Sequence, residues 1–284
     1  MNKRFDDAKR SDGAFLWPGD SGLAVVLTAE YEPVNRFPPL AGGQPNYRLM
    51  GEMRYEATRG IWRNLDILER HNVPATFFVN GASAEKYAPS VREIVKRGHE
   101  VAAHSWASQD HVGMSADVEE DIISHTVKVL TDIAGRTPTG WLTPRAQISE
   151  NTLDIIAKLG FSWHSDCFDD DLPYVIEVQG KKIVEVPRST LSDDYAMMGL
   201  ITSRPFGSPR DMLSYWIDEF EVLHRESRRS ARLLSINWHL CMLGRPGVSC
   251  VLDEFLAHVK KRTGVWFATG QKISEFWMNR KGPA

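Results

Sequence analysis

The sequence predicts an α/β protein whose parallel strands curl into a (β/α) barrel, whole or incomplete. Three observations carry that expectation. From residue 22 onward, short apolar runs alternate with amphipathic helical patterns. The runs are β-branched or aromatic and bounded by Gly, Pro or polar residues, as strands buried on both faces are. No GxGxxG or GxxxxGKS/T follows any run, which removes the usual nucleotide-binding reason for an open doubly wound sheet.

In chain order the runs are LAVVLT (23–28), PATFFV (74–79), HEVAAH (99–104), TGWLT (139–143), FSWHSD (161–166), KIVEVP (182–187), LLSINWH (233–239) and GVWFA (264–268). Helices fall between them. Arg59 to Arg70 places Ile61, Trp62, Leu65 and Leu68 on one side; Ser115 caps a helix whose stripe is Val118, Ile122, Val129 and Ile133. Ser208 followed by Pro209 starts a helix carrying Met212, Tyr215, Trp216 and Leu223, and Val251 to Lys261 repeats the pattern with Leu252, Phe255, Leu256 and Val259. Residues 33–57 form a long insertion after the first strand, expected to act as a lid or an oligomer contact. Residues 1–14 read as a tail, and 15–279 as a single domain.

Net charge is −3 over 284 residues, with 34 basic and 37 acidic side chains spread along the chain, so no electrostatic footprint for nucleic acid or an anionic membrane is present. No apolar stretch approaches the roughly 20 residues of a membrane span, and the charged start MNKRFDDAKRSDG does not read as a signal peptide, which predicts a cytoplasmic protein. Cys167, Cys241 and Cys250 are odd in number and lack CxxC spacing, so neither a disulfide framework nor a thiolate zinc site is expected.

A (β/α) barrel builds its active site at the carboxyl ends of its strands, and here those ends are polar. Alternation puts Thr28, Glu30 and Glu32 on one face; a carboxylate at the barrel mouth can serve as a general base, or be a solvated loop group. His104 and His239 each close an apolar run, where an acid/base or ligand imidazole would stand. Arg145 can stabilise an oxyanion or grip a substrate carbonyl, with a surface salt bridge as the plainer alternative. Asp166 and Arg188 end two further runs, and Asp169 to Asp171 read as a solvated turn.

The ordered segments VPATFFVNG, GHEVAAHSW, TGWLTPR with NTLDIIAKLGFSWHSD, and LLSINWH resemble the NodB-homology domain of the polysaccharide deacetylase superfamily. Within it, WPG (17–19), RGIWR (59–63), GWLTPR (140–145), SDCFDDDLPY (165–174) and SINWHLCMLGRPG (235–247) are most similar to the cofactor-independent allantoinase branch. That resemblance implies a distorted (β/α)7 barrel that hydrolyses a C–N amide bond. The metal-dependent members hold a divalent ion, typically zinc, with an aspartate after the first strand and an HxxxH pair after the third. Here the acidic pair position reads Glu30, Tyr31, and the pattern begun by His104 reads HSWAS, with Ser108 at the second histidine. His104 is then the only retained ligand-type residue, and His111 replaces the missing one only if the loop folds back. No cofactor is expected, with a single zinc as the lesser alternative.

Roles carried over by position make Glu30 the base, His239 the general acid and Arg145 a substrate or oxyanion contact, with His104, Trp106, Asp166, Arg188 and Trp238 lining the substrate site. The expected reaction is ring opening of a small cyclic amide of the allantoin, hydantoin or imide type. Deacetylation of an N-acetyl sugar and a catalytically inactive ligand-binding member are the alternatives. The branch tends to oligomerise, so a homo-oligomer is expected.

Overall fold

The computed structural model describes Phe5, Ala8, Arg10 and residues 15–35, 40, 42–198 and 207–280. Nine strands make one sheet: β1 (Leu23–Tyr31), β2 (Thr76–Val79), β3 (Glu100–Ala103), β4 (Gly140–Trp141), β5 (Trp163–His164), β6 (Tyr174–Val178), β7 (Lys181–Glu185), β8 (Arg232–His239) and β9 (Val265–Ala268). Their spatial order is β6-β7-β5-β4-β3-β2-β1-β8, with β9 also on β1. Every pairing is parallel except the β6–β7 hairpin, so the sheet is the expected curled (β/α) half-barrel. Each predicted run is a strand. The hairpin strand β6 (YVIEV) was not foreseen, since five residues just after an acidic turn give little periodicity.

Eleven helices are described: α1 (Tyr47–Tyr55), α2 (Ile61–His71), α3 (Gly81–Lys86), α4 (Ala88–Lys96), α5 (Ala116–Ala134), α6 (Thr152–Leu159), α7 (Asp194–Met197), α8 (Pro209–Glu226), α9 (Leu240–Leu243), α10 (Pro246–Val259) and α11 (Gly270–Asn279). Side-chain caps set several of their starts. Asn46 accepts from Leu49 N, Asn80 from Ser83 N, Ser208 from Asp211 N and Thr269 from Lys272 N.

Two apolar layers result. Leu23, Val25, Leu27, Ala29 and Tyr31 face the helices, whereas Ala24 and Val26 join Phe78, Leu142 and Trp163 inside the sheet's curl. The Trp163 indole closes the bottom of that interior against Gly140 and Gly270, where a Cβ would stand 2.2 Å from ring atoms.

Two expectations need correction. The second half of the 33–57 insertion is not loop but helix α1, followed by a π-helical turn at Glu56–Gly60 that leads directly into α2; positions 36–39 and 41 lie outside the described residues. On α5 the buried side is Glu119, Ile123, Thr126 and Leu130, one position around from the apolar stripe, and Val118 is 51% exposed. The reason is polar: Glu119 turns inward to His111 (2.9 Å), Ser149 and Thr152.

The two ends of the sheet do not pair as strands. A single bridge, Asp193 to Asn237, ties the segment after β7 to β8 and leaves a seam beneath it.

Candidate active site

β1 carries the site because its carboxyl end alternates. Thr28, Glu30 and Glu32 point into the mouth while Ala29 and Tyr31 pack outward. β8 lies in register beside it, with Thr28 opposite Asn237 and Glu30 opposite His239. Thr28 Oγ1 donates to Asn237 Oδ1 (2.8 Å), which turns the Asn237 amide nitrogen toward two carboxylates. That nitrogen donates to Glu30 Oε1 (3.0 Å) and Asp193 Oδ2 (2.6 Å), and Arg188 Nη2 donates to the same two atoms at 3.1 and 3.0 Å. Two donors therefore hold one oxygen of Glu30 and leave Oε2 turned to the interior.

His239 Nε2 stands 3.1 Å from that Oε2, and its Nδ1 is 2.7 Å from Asp194 Oδ1. Asp194 also accepts the backbone N–H of His239, so the imidazole is fixed at two points. The Tyr195 ring lies 3.8 Å from the His239 ring, centroid to centroid. Burial alone would raise Glu30, but His239 and Arg188 hold it well below the usual carboxylate range. Burial would lower His239, but Glu30 and Asp194 carry it well above the ordinary histidine value. The resting pair is carboxylate and imidazolium.

A second group adjoins the first. His104 Nδ1 is 2.8 Å from the Leu142 carbonyl and so donates, leaving Nε2 at 3.1 Å from Glu32 Oε1 and 3.5 Å from Glu30 Oε2. Ser108 donates its hydroxyl to Glu32 Oε1, and Glu32 N donates to Glu56 Oε2 (2.6 Å). Glu56 comes from the π-helical turn, the kind of irregularity that recurs at functional sites, and burial pushes its carboxyl up to about 8.

The resulting cavity is about 520 Å³ and is lined by Glu30, Glu32, His104, Arg188 and His239, with Met53 of α1 and Asn35 at its rim. The insertion thus supplies a wall of the site. Arg145 reaches the mouth, half out in solvent at 3.3 Å from Asp110, and it sits with φ +60°, a conformation that a non-glycine residue holds only where its surroundings impose it. Three predicted lining residues stand elsewhere. Trp238 packs outward into the helix layer, because it lies between the inward positions 237 and 239. Trp106 rests on His125 of α5, with ring centroids 4.4 Å apart, and against Gly81. Asp166 accepts Thr143 N (2.8 Å) and pairs with His164 (3.1 Å), bracing the mouth loop from behind. His111 does not fold back as a ligand. It is buried between Ser105 (2.7 Å) and Glu119 and builds the loop that presents Ser108. Asp193, Asp194, Tyr195 and Asn237 were missed: Asn237 lies within a predicted run, whereas Asp193 to Tyr195 lie six to eight residues past the run that ends at Pro187.

His104 is also not alone as a ligand-type residue. Glu30, Glu32 and His104 each place one donor atom within 4.8 Å of the others, all buried. Two carboxylates and an imidazole whose other nitrogen is held by a carbonyl are a donor set that fits a divalent ion. Burial would lower His104, but Glu32 and Glu30 hold it above the ordinary histidine value, which favours an Nε2–H that joins the two carboxylates in the same place.

An ionised carboxylate and an imidazolium oriented by a second carboxylate, at the strand ends of a curled (β/α) sheet, define an acid/base hydrolase site. Residues 54–164 match the family profile described as polysaccharide deacetylase. The chain is 29% identical over 249 residues to a peptidoglycan deacetylase of Helicobacter pylori, covering 78% of this chain and 84% of that one. It superposes with TM-score 0.86 and 26% identity on a probable polysaccharide deacetylase from Pseudomonas aeruginosa PAO1, over 94% and 95% of the two chains. A Puue allantoinase superposes with TM-score 0.87 and 25% identity over 94% of each. Residues 54–164 thus carry the match to the polysaccharide deacetylase family, and the deacetylases and the allantoinase that the chain resembles are hydrolases of carbon–nitrogen bonds other than peptide bonds.

Proposed function

We propose that the protein opens the ring of a small cyclic amide, of the allantoin, hydantoin or imide type. The observation that carries this reading is the Glu30–His239–Asp194 chain, in which the acid and the base meet at 3.1 Å inside a cavity sized for a small molecule. Glu30 Oε2 accepts a proton from water as the water oxygen bonds to the ring carbonyl carbon. The C–N bond then breaks, and His239 gives its Nε2 proton to the departing nitrogen. Asp194 keeps that proton on the cavity side throughout. Arg145, at the mouth, meets the carbonyl or a carboxylate of the substrate.

A divalent ion bound by Glu30, Glu32 and His104 would polarise the carbonyl and acidify a bound water. The cations of Arg188, His104 and His239 already surround these carboxylates, and they support a reaction that does not depend on the ion. The test is ring opening of allantoin and hydantoin by the purified protein, with metal content measured alongside. Glu30→Gln, which keeps the shape and removes the base, abolishes turnover with folding intact, and chelators leave the wild-type rate unchanged. Chelator inhibition reversed by zinc overturns the metal-independent form of the reading.

Deacetylation of an N-acetyl sugar is the second reading, favoured by the name and the 84% coverage of the H. pylori relative. The same acid/base pair serves it, and acetate release from N-acetylglucosamine oligomers, without ring opening of allantoin, decides for it.

A further inference from the structure

Below the Asp193–Asn237 bridge, the seam between the two ends of the sheet opens into a cleft of about 670 Å³. It shares Phe168, Arg188 and Thr190 with the catalytic cavity, so the two spaces adjoin through Arg188. Its walls carry four carboxyl groups, those of Asp169, Asp170, Asp171 and Glu219, against two cations among the described residues. Both cations are committed. Arg10 pairs with Asp169 at 2.8 Å and with Asp170, and lies over the Tyr174 ring; Arg188 pairs with Glu30 and Asp193.

Asp171 and Glu219 therefore border the cleft without a cation among the described residues. Burial, with the charge of Asp171 added, raises the Glu219 carboxyl, whose one described donor is the Ser192 hydroxyl. On β8, Ser235 is 8% exposed, borders the same cleft, and its hydroxyl has no partner among the described residues. Buried hydroxyls are satisfied in nearly all folded proteins, so this one marks a place for a polar ligand atom.

We propose that the seam cleft is a binding site for a primary ammonium group, with Asp171 and Glu219 as its carboxylates and Ser235 as its hydroxyl acceptor. An ammonium offers three donors and a unit charge, which matches two carboxylates and one hydroxyl oxygen. A neutral or anionic group leaves the carboxylates uncompensated. Leu223, Leu233 and Leu234 form the apolar part of the wall and suit a ligand with a carbon skeleton behind its amine, such as an amino sugar. The site is independent of the ring-opening reading and stands or falls apart from it.

Glucosamine, N-acetylglucosamine, glucose and magnesium chloride, each titrated by calorimetry and thermal shift into the wild type, E30Q, D171N, E219Q and S235A, test the proposal. Glucosamine binds the wild type and E30Q alike and binds D171N and E219Q at least about tenfold more weakly, as loss of a charge-assisted contact dictates. Equal binding of N-acetylglucosamine or magnesium overturns the ammonium assignment. No glucosamine binding, or binding lost in E30Q and kept in D171N, overturns the site. Asp171 is exposed, so D171N folds and decides the matter even where E219Q does not.

Discussion

Ser108 donates its hydroxyl to the carboxylate of Glu32, at the position where the HxxxH pattern of metal-dependent relatives has its second histidine. The carboxylate and the hydroxyl thus close on each other and on His104, where a metal-dependent member would have one more imidazole.

Ser108→His puts a fourth donor beside Glu30, Glu32 and His104. Zinc affinity, measured by competition with a chromophoric chelator, rises by at least about tenfold over the wild type. An unchanged affinity means that these side chains are too firmly engaged by Arg188, Asn237 and His239 to turn toward an ion.

Asp194→Asn keeps the shape beside His239 but loses the charge that holds the imidazolium. The expected fall in kcat is about 10²- to 10⁴-fold, the usual worth of a positioned acid, with KM changed far less. The amide proton of His239, which Asp194 accepts, reports in NMR whether the variant keeps its fold.

The activity also has a predictable pH dependence. Glu30 is held below the ordinary carboxylate range and His239 above the ordinary histidine value, so the base stays ionised and the acid protonated at neutrality. Burial raises the Asp194 carboxyl to about 6, so the kcat/KM profile rises through an acid limb near that value and is then level to about pH 8, with no falling limb at the unperturbed histidine value of about 6.5. A bell centred on that value contradicts the assignment of His239 as the resting acid.

Stability has a separate pH dependence, at the opposite end of the sheet. His99 takes Ala75 N on its Nδ1 (3.2 Å), and burial, with Arg97 adding to it, pushes its pKa down to about 4. The folded chain holds the ring neutral while the unfolded chain protonates it near 6.5, so the unfolded state binds more protons between these values. Stability is intact above pH 6.5 and falls as pH drops toward 4, by about 3 kcal/mol from this one group. His99→Asn, whose amide oxygen can take the place of Nδ1, removes that part of the slope in urea titrations at successive pH values.

Much of this site could be read from the chain, and what could not has a physical cause. Glu30, His104, Arg188 and His239 were found because each ends an apolar strand of a barrel, and the chain itself marks where strands end. Trp238 was assigned to the pocket by neighbourhood, although period-two alternation between Asn237 and His239 already places it outside. Glu32 was seen on the right face, but its meeting with His104 joins residues 72 positions apart, a contact that no spacing rule along one segment can find. Asp193 and Asp194 lie in an irregular stretch where periodicity is silent. The α5 stripe misled because burying Glu119 with His111 outweighed the apolar side chains next to it.

The placing of β1 has a further consequence, in time. The strand that carries Glu30 begins at Leu23, yet its partners along the first half of its length are β8 and β9, whose pairings with Leu23 start at Arg232 and Val265. During synthesis both edges of this first half of the strand stay open until residues 232 and 265 have emerged, although β2 pairs early with its second half, and each of the two late contacts closes a loop of more than two hundred residues. Assembly of the catalytic groups is therefore a late folding event. A chain shortened before residue 232 presents a naked β1 edge, the form in which such strands aggregate.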